Sequence, residues 1–379
     1  MYESDPVELE EPELSRVMLV VGTRPEVIKM APVIHGLLKI SADFTFVHTG
    51  QHYDYSMSRK MIEDLRLPSP DYSFKLRISS PIDQMAQIMV NLGKVLPKER
   101  TRVVLVEGDT NTIIAAALAA LKMGVKVAHV ESGLRSRDWR MPEEHNRIMV
   151  DHISDLLFAP TLNARSNLAA EHVHGRVFVT GNTVIDAIIQ YLPLAEKVSR
   201  VLETISYKRF VLVTAHRTEN VDDPVVLKEF VETLIHAPFP VVFPAHPRTV
   251  KRLREFGLYS KIRRSANVQV LPPVGYLDLL LLMKRCEAIL TDSGGLQEEA
   301  TAPPIRKPVV VFRKRTERPE AVKAGFARVA GVTRTGALRA LNMMLSRDRE
   351  LPTSSPYGNG RAGDKIAMRT MLFLKALEK

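Results

Sequence analysis

Thr291-Asp292-Ser293-Gly294-Gly295-Leu296-Gln297-Glu298-Glu299-Ala300 joins an apolar run, Ala288–Thr291, to a predicted helix over 296–302. A strand, a glycine turn and a helix start in this order suit a diphosphate. Gly294 and Gly295 allow a tight turn and close approach of backbone to ligand. The helix start offers unpaired N–H groups and the positive end of a dipole. Ser293 adds a hydroxyl donor, and Glu298 and Glu299 offer carboxylates to ribose hydroxyls one turn further on. Alone, the stretch reads equally well as a capped glycine turn. A second polar cluster, Thr316-Glu317-Arg318-Pro319-Glu320, follows another apolar run at 309–312.

Similar clusters recur wherever a short apolar run ends. Gly22-Thr23-Arg24-Pro25-Glu26 follows 17–21, with Lys29 one helical turn on, so that Arg24 and Lys29 can face one anion. Glu107-Gly108-Asp109-Thr110-Asn111-Thr112 follows 103–106, and Glu131-Ser132-Gly133-Leu134-Arg135 follows 125–130. Pro142-Glu143-Glu144-His145-Asn146-Arg147 opens a helix, with proline at a favoured first position. In the second half, Ala215-His216-Arg217 and Pro244-Ala245-His246 occupy the same kind of place. Capping or solvation explains any one of them. Together they set carboxylates of one half against basic residues and a phosphate socket of the other, which is a ligand cleft at the carboxyl ends of parallel strands.

The elements that must position these residues alternate strand and helix. Strands are predicted at 17–21, 44–48, 103–106, 125–130, 156–159 and 177–179, then again at 210–214, 241–243, 268–271, 288–291 and 309–312, with helices such as 25–39 and 112–122 between them. This is an α/β pattern of two Rossmann-like domains facing across a cleft. The expected division is an acidic mobile tail over 1–15, a first domain over 16–185, a helical connection over 186–209 and a second domain over 210–360. The last helix, 365–377, is expected to pack back on the first domain. Gly358-Asn359-Gly360-Arg361-Ala362-Gly363 has the spacing of a dinucleotide fingerprint but follows no strand, so it reads as a loop and no nicotinamide is assigned.

With 379 residues, 45% of them hydrophobic, the chain can bury a large core. No apolar run approaches the roughly 18 residues of a membrane span. Met1-Tyr2-Glu3-Ser4-Asp5 lacks the regions of a signal peptide, and Cys286 is the only cysteine. Both point to a reducing cytoplasm. The net charge is +10, yet residues 1–15 carry six acidic and no basic side chains, leaving +16 on the remainder. A nucleic-acid partner is not expected, because zinc-finger spacing and an aromatic RNA-binding segment are missing and aromatics make up only 6%. An anionic small substrate accounts for the charge.

In order along the chain, the motifs Gly22-Thr23-Arg24-Pro25-Glu26, Gly108-Asp109-Thr110, His129-Val130-Glu131-Ser132-Gly133-Leu134-Arg135, Pro142-Glu143-Glu144 and Asn146-Arg147 resemble those of the non-hydrolysing UDP-N-acetylglucosamine 2-epimerases. So do Gly181-Asn182-Thr183-Val184-Ile185-Asp186, His216-Arg217, Asp292-Ser293-Gly294-Gly295 with Gln297-Glu298-Glu299, and Thr316-Glu317-Arg318-Pro319-Glu320. The resemblance covers about 17–375. It implies a GT-B-like fold and interconversion of UDP-GlcNAc and UDP-ManNAc through 2-acetamidoglucal, with no redox cofactor and no metal. It also implies roles. Asp109, Glu131 and His216 match acid/base groups, and Glu143 a further essential carboxylate. Arg24, Lys29, His246, Ser293, Gly294 and Glu299 match UDP-contacting positions, and Arg318 a substrate-binding arginine. Arg135, Arg147 and Gly295 are added to the binding set from the same motifs. Which carboxylate serves which face of C2 stays open.

Two departures stand out. The stretch 298–308 is longer than usual, and Lys314-Arg315 replaces a more acidic segment. Gln51 matches one of two glutamines that bind an activating second UDP-GlcNAc, but Asp54 stands at the other, which argues against such activation. A cytoplasmic homodimer serving polysaccharide biosynthesis is the expected setting. A glycosyltransferase of the same fold, a hydrolysing epimerase and a non-catalytic nucleotide-sugar or RNA binder are the competing readings.

Overall fold

The computed structural model describes residues 17–50, 55–76, 80–346 and 350–377. The expected tail at 1–15, and Gln51 and Asp54, lie outside the described residues. Seven parallel strands form the first sheet: β1 (Val17–Val21), β2 (Thr45–His48), β3 (Tyr72–Ser73), β4 (Val103–Glu107), β5 (Lys126–Val130), β6 (Leu156–Ala159) and β7 (Arg176–Val179), in the order β3-β2-β1-β4-β5-β6-β7. Six form the second: β8 (Val211–Thr214), β9 (Val241–Pro244), β10 (Val268–Leu271), β11 (Ala288–Thr291), β12 (Val309–Val311) and β13 (Ala327–Val329), in the order β10-β9-β8-β11-β12-β13. β3 and β13, which the sequence pattern missed, are two- and three-residue edge strands with no apolar run to betray them.

Helices cover both faces of each sheet, so the central strands are buried on both sides and read as unbroken apolar runs. The pleat still sorts them. Val17, Leu19 and Val21 pack with Met30, Ile34, Ile185, Ile188 and Ile366, whereas Met18 and Val20 pack with Ile88, Leu92, Ile113 and Ala117 on the other face. The first of these clusters continues into the second half through the helix Thr183–Val198, joining Tyr191 and Ala195 to Leu280, Leu282 and Ile289. The two halves thus share apolar core.

The last helix, Ala362–Leu377, packs against Arg24–Lys39. A Cβ at Gly363 would lie 2.4 Å from the Pro32 carbonyl oxygen, so glycine is what permits this approach. Of the glycine-rich stretch, 358–361 is a loop, as its context predicts, and Ala362-Gly363 begin the helix. Tyr357, just before the stretch, is fully buried; its carbonyl accepts from Asn182 N–H (2.7 Å) and its hydroxyl from Ala321 N–H (3.2 Å), tying one half to the other. No helix among the described residues is long and apolar enough to cross a membrane.

Candidate active site

Both sheets reverse strand order at their centre, between β1 and β4 and between β8 and β11. The loops leaving such a pair diverge to opposite faces and leave a crevice at the strands' carboxyl ends. The two crevices face each other around a cavity of about 880 Å³. From the first half it is lined by Arg24, Glu26, Lys29, Glu107, Asp109, Thr110, Glu131 and Arg147; from the second by His216, Arg217, His246, Ser293, Gly294, Gly295, Glu299, Glu317 and Arg318.

The loop carrying Glu131 is held from below. His129 in β5 is fully buried, its Nδ1 2.7 Å from Asp151 Oδ1 and its Nε2 2.9 Å from the Gly108 carbonyl. Asp151 also accepts from Gly133 N–H (3.0 Å). Glu131 itself adopts φ +68°, a left-handed conformation that non-glycine residues rarely take and that surrounding contacts must enforce. The contacts are visible: Lys29 Nζ donates to Glu131 Oε2 (2.6 Å), as does Asn182 Nδ2 (2.9 Å), and Arg318 Nη2 lies 3.8 Å from Oε1. Burial alone would raise its pKa, but Lys29 and Arg318 outweigh burial and hold it at about 2.

Each of these two cations has a second buried carboxylate. Lys29 Nζ is 3.1 Å from Glu107 Oε1, and Arg318 Nε is 2.5 Å from Glu298 Oε1. Burial pushes Glu107 well above the usual carboxylate range, and Glu298 up to about 7, more than their cations pull them back. Glu299, on the same short helix Gly294–Glu299, is likewise raised by burial to about 7. Glu26 is raised by burial to about 6 even though it accepts from Gly22 N–H (2.6 Å), Thr23 N–H (3.0 Å) and Thr110 Oγ1 (2.6 Å); these bonds cap the first helix and fix the loop before Asn111–Lys122.

Asp109 is oriented by the helix Pro142–Ile153: Arg147 Nη2 lies 2.5 Å from its Oδ2, and Asn146 Nδ2 donates to its carbonyl (2.9 Å). Across the cavity, Asp292 accepts the backbone N–H groups of His216 and Arg217 and lies 3.5 Å from His216 Nδ1. Desolvation in the cleft, opposed by Asp292, lowers the pKa of His216, and desolvation with His216 nearby lowers that of His246; their ring centroids are 6.1 Å apart. Ser293 is the N-cap residue of Gly294–Glu299, yet its side chain makes no capping bond, which leaves the hydroxyl to a ligand. A Cβ at Gly294 would lie 2.9 Å from Glu317 Oε1, so this glycine first serves packing against Glu317; at Gly295 a Cβ would make only ordinary van der Waals contacts, with Ser293 Oγ and Glu299 Oε1 each 3.9 Å away.

Three of the sequence-derived residues do not line the cavity: Glu298, which lies under Arg318, Arg135 and Glu143. Arg135 forks onto Glu171 (2.7 and 2.5 Å) and reaches Asp151 (2.7 Å), bracing the floor of the Glu131 loop. Its guanidinium is committed to these carboxylates within the protein. Glu143 is half-buried at the start of Pro142–Ile153 and does not line the cavity, while its neighbour Glu144 is buried and accepts from the backbone of Ser136 and Arg137 (2.8 Å each). Conversely, sequence reading quoted Glu26, Glu107, Asn182 and Glu317 inside motifs without giving them work. One signal was present: Glu107 is a carboxylate ending the otherwise apolar strand Val-Val-Leu-Val-Glu.

The family model for UDP-N-acetylglucosamine 2-epimerase matches residues 38–370. The chain belongs to that family. It is 41% identical to the UDP-N-acetylglucosamine 2-epimerase of Methanocaldococcus jannaschii over 360 residues, which is 93% of this chain and 97% of the relative. A crystal structure of the M. jannaschii enzyme in complex with UDP-GlcNAc and UDP superposes with a TM-score of 0.85, covering 94% of this chain and 99% of that one at 41% identity. A UDP-2,3-diacetamido-2,3-dideoxy-D-glucuronate 2-epimerase from Pseudomonas aeruginosa is 37% identical, over 93% of this chain and 98% of the relative. The GT-B-like pairing of two parallel α/β halves expected from the motifs is the fold of these epimerases.

Proposed function

We propose that this epimerase inverts C2 of UDP-N-acetylglucosamine to give UDP-N-acetylmannosamine, reversibly, by elimination and re-addition of UDP. The observation that supports it best is the Glu131 carboxylate, held between Lys29 and Arg318 where the walls of the two halves meet. The C2 proton has no adjacent carbonyl to acidify it, so its removal is coupled to departure of UDP from C1. A carboxylate takes the proton, the C2–H electrons form the C1=C2 bond, and the C1–O pair leaves with the diphosphate. Re-addition returns the diphosphate oxygen to C1 and a proton to the opposite face of C2. No net oxidation occurs, and the chemistry calls for no redox cofactor.

Asp109, Glu131 and His216 form the acid/base set; a positioned group of this kind contributes about 10²–10⁴ in rate. His216, neutral at pH 7 by the direction of its shift, can accept or donate a proton. Arg24, Lys29, His246, Ser293, Gly294, Gly295, Glu299 and Arg318 bind UDP and sugar, with the cations stabilising charge on the leaving diphosphate. Arg147 acts through Asp109. The role of Glu143 rests on motif resemblance alone. The division at 186–209, a cytoplasmic setting and a homodimer complete the proposal; the buried free thiol of Cys286 suits a reducing compartment.

Reaction in D₂O tests the mechanism. Deuterium should appear at C2 of UDP-ManNAc without added nicotinamide, and transient 2-acetamidoglucal should accompany free UDP. Clear turnover with no deuterium at C2 would falsify elimination–addition, free ManNAc as product would indicate hydrolysis, and an untouched C2 a glycosyltransferase. The diacetamido-glucuronate nucleotide, substrate of the P. aeruginosa relative, is the comparison substrate.

A further inference from the structure

Glu107 has no place in the proposed chemistry, yet it is fully buried at the end of β4, lines the cavity and shares an ammonium with Glu131. Resting on the epimerase reading, we propose that Glu107 is a positioning residue that competes with Glu131 for the Lys29 ammonium and so sets the strength of Glu131 as a base. One ammonium lies 2.6 Å from Glu131 and 3.1 Å from Glu107, and both carboxylates are buried. Glu131 has further support from Asn182 and Arg318; for Glu107, Lys29 is the cation in ion-pair contact among the described residues. Glu26 and Glu131 add negative charge against Glu107, while Glu298 faces Glu131 from beyond Arg318 and Arg147 bears on it from Pro142–Ile153. Two carboxylates on one ammonium cannot both be fully ionised at low cost, and the less supported one keeps the proton. That one is Glu107.

The consequence is directional. In one direction of a reversible epimerisation Glu131 must accept a proton, and an undivided ammonium makes it a weak base. As pH rises, Glu107 ionises, Lys29 is shared, and Glu131 becomes more basic. Glutamine at 107 can still accept a bond from Lys29 but never competes as an anion, so Glu131 stays weak at every pH.

The test is the pH profile of kcat for UDP-GlcNAc epimerisation in wild type, Glu107→Gln and Glu107→Asp, each checked for folding by circular dichroism. Wild-type kcat should rise with pH through an ionisation that Glu107→Gln lacks. The variant should fall further behind as pH increases, on the order of threefold to tenfold for each unit by which base strength is lost. Glu107→Asp, which keeps an ionisable group, should restore the rise; it also carries the test if the glutamine variant does not fold. Parallel profiles for wild type and Glu107→Gln would overturn the inference. Independently of turnover, infrared difference titration should show a protonated carboxyl band in wild type that Glu107→Gln removes, and its persistence would also overturn the inference. Absence of wild-type turnover would refute the epimerase reading instead, and the infrared comparison would then judge the Glu107–Lys29–Glu131 pair by itself.

Discussion

Replacing Lys29 by methionine keeps the aliphatic stem and removes the one charge that Glu107 and Glu131 share. In the wild type Glu131 is held at about 2 against an ordinary value of 4.5, with Lys29 contributing more than Arg318. At about 1.4 kcal/mol per unit, that displacement amounts to about 3 kcal/mol of folding free energy, with Lys29 the larger of its two cationic contributors. Breaking a buried pair from one side costs about 3–5 kcal/mol where no relaxation occurs. Protonation of the stranded carboxylates provides relaxation, so a loss of about 2–3 kcal/mol at pH 7 is expected. The sign with pH follows from the depressed value. The contribution of Glu131 is fully present above 4.5 and is lost as pH falls from 4.5 through 2, so the gap between wild type and Lys29→Met should narrow on acidification. Urea unfolding followed by circular dichroism at pH 7 and near pH 3 measures both. A difference below about 1 kcal/mol at pH 7, or one that does not shrink in acid, would refute this account of the Glu131 site.

Asp109→Asn and Glu131→Gln should each lower turnover by at least about a hundredfold with the fold intact; near-normal turnover of purified Glu131→Gln would remove it from the mechanism. Ser293→Ala should weaken UDP binding by about 1.5–3 kcal/mol in calorimetry, because the hydroxyl is not spent on capping and donates to a charged phosphate. Unchanged affinity would place the diphosphate elsewhere. His216 should titrate below 6.5 by histidine NMR, and since the unfolded chain then binds the proton more readily, this group should cost stability as pH falls from 6.5 through its folded value. A value at or above 6.5 would show that Asp292, not desolvation, dominates the ring.

The two sheets were legible because parallel strands buried on both faces must be written as apolar runs: Val17–Val21, Leu156–Ala159 and Ala288–Thr291 coincide with the apolar runs that predict them. Polar clusters at the strand ends pointed to the cleft for the same reason, since a charge is tolerated only where the sheet stops. Motif order was enough to indicate the family. What each charge does inside the cleft depended on neighbours distant in the chain. Arg135 and Arg147 look alike in sequence, but Glu171 and Asp151 claim the first while Asp109 engages the second. Glu298 and Glu299 are adjacent, yet helical geometry turns one under Arg318 and leaves the other lining the cavity. The left-handed turn at Glu131 carries no glycine to announce it, and its support comes from Lys29, Asn182 and Arg318, up to 187 positions away. Local composition therefore determined strands, helices and the chemistry available to them. Tertiary packing decided which carboxylates are ionised, because desolvation and ion pairing act through space and have no period in sequence.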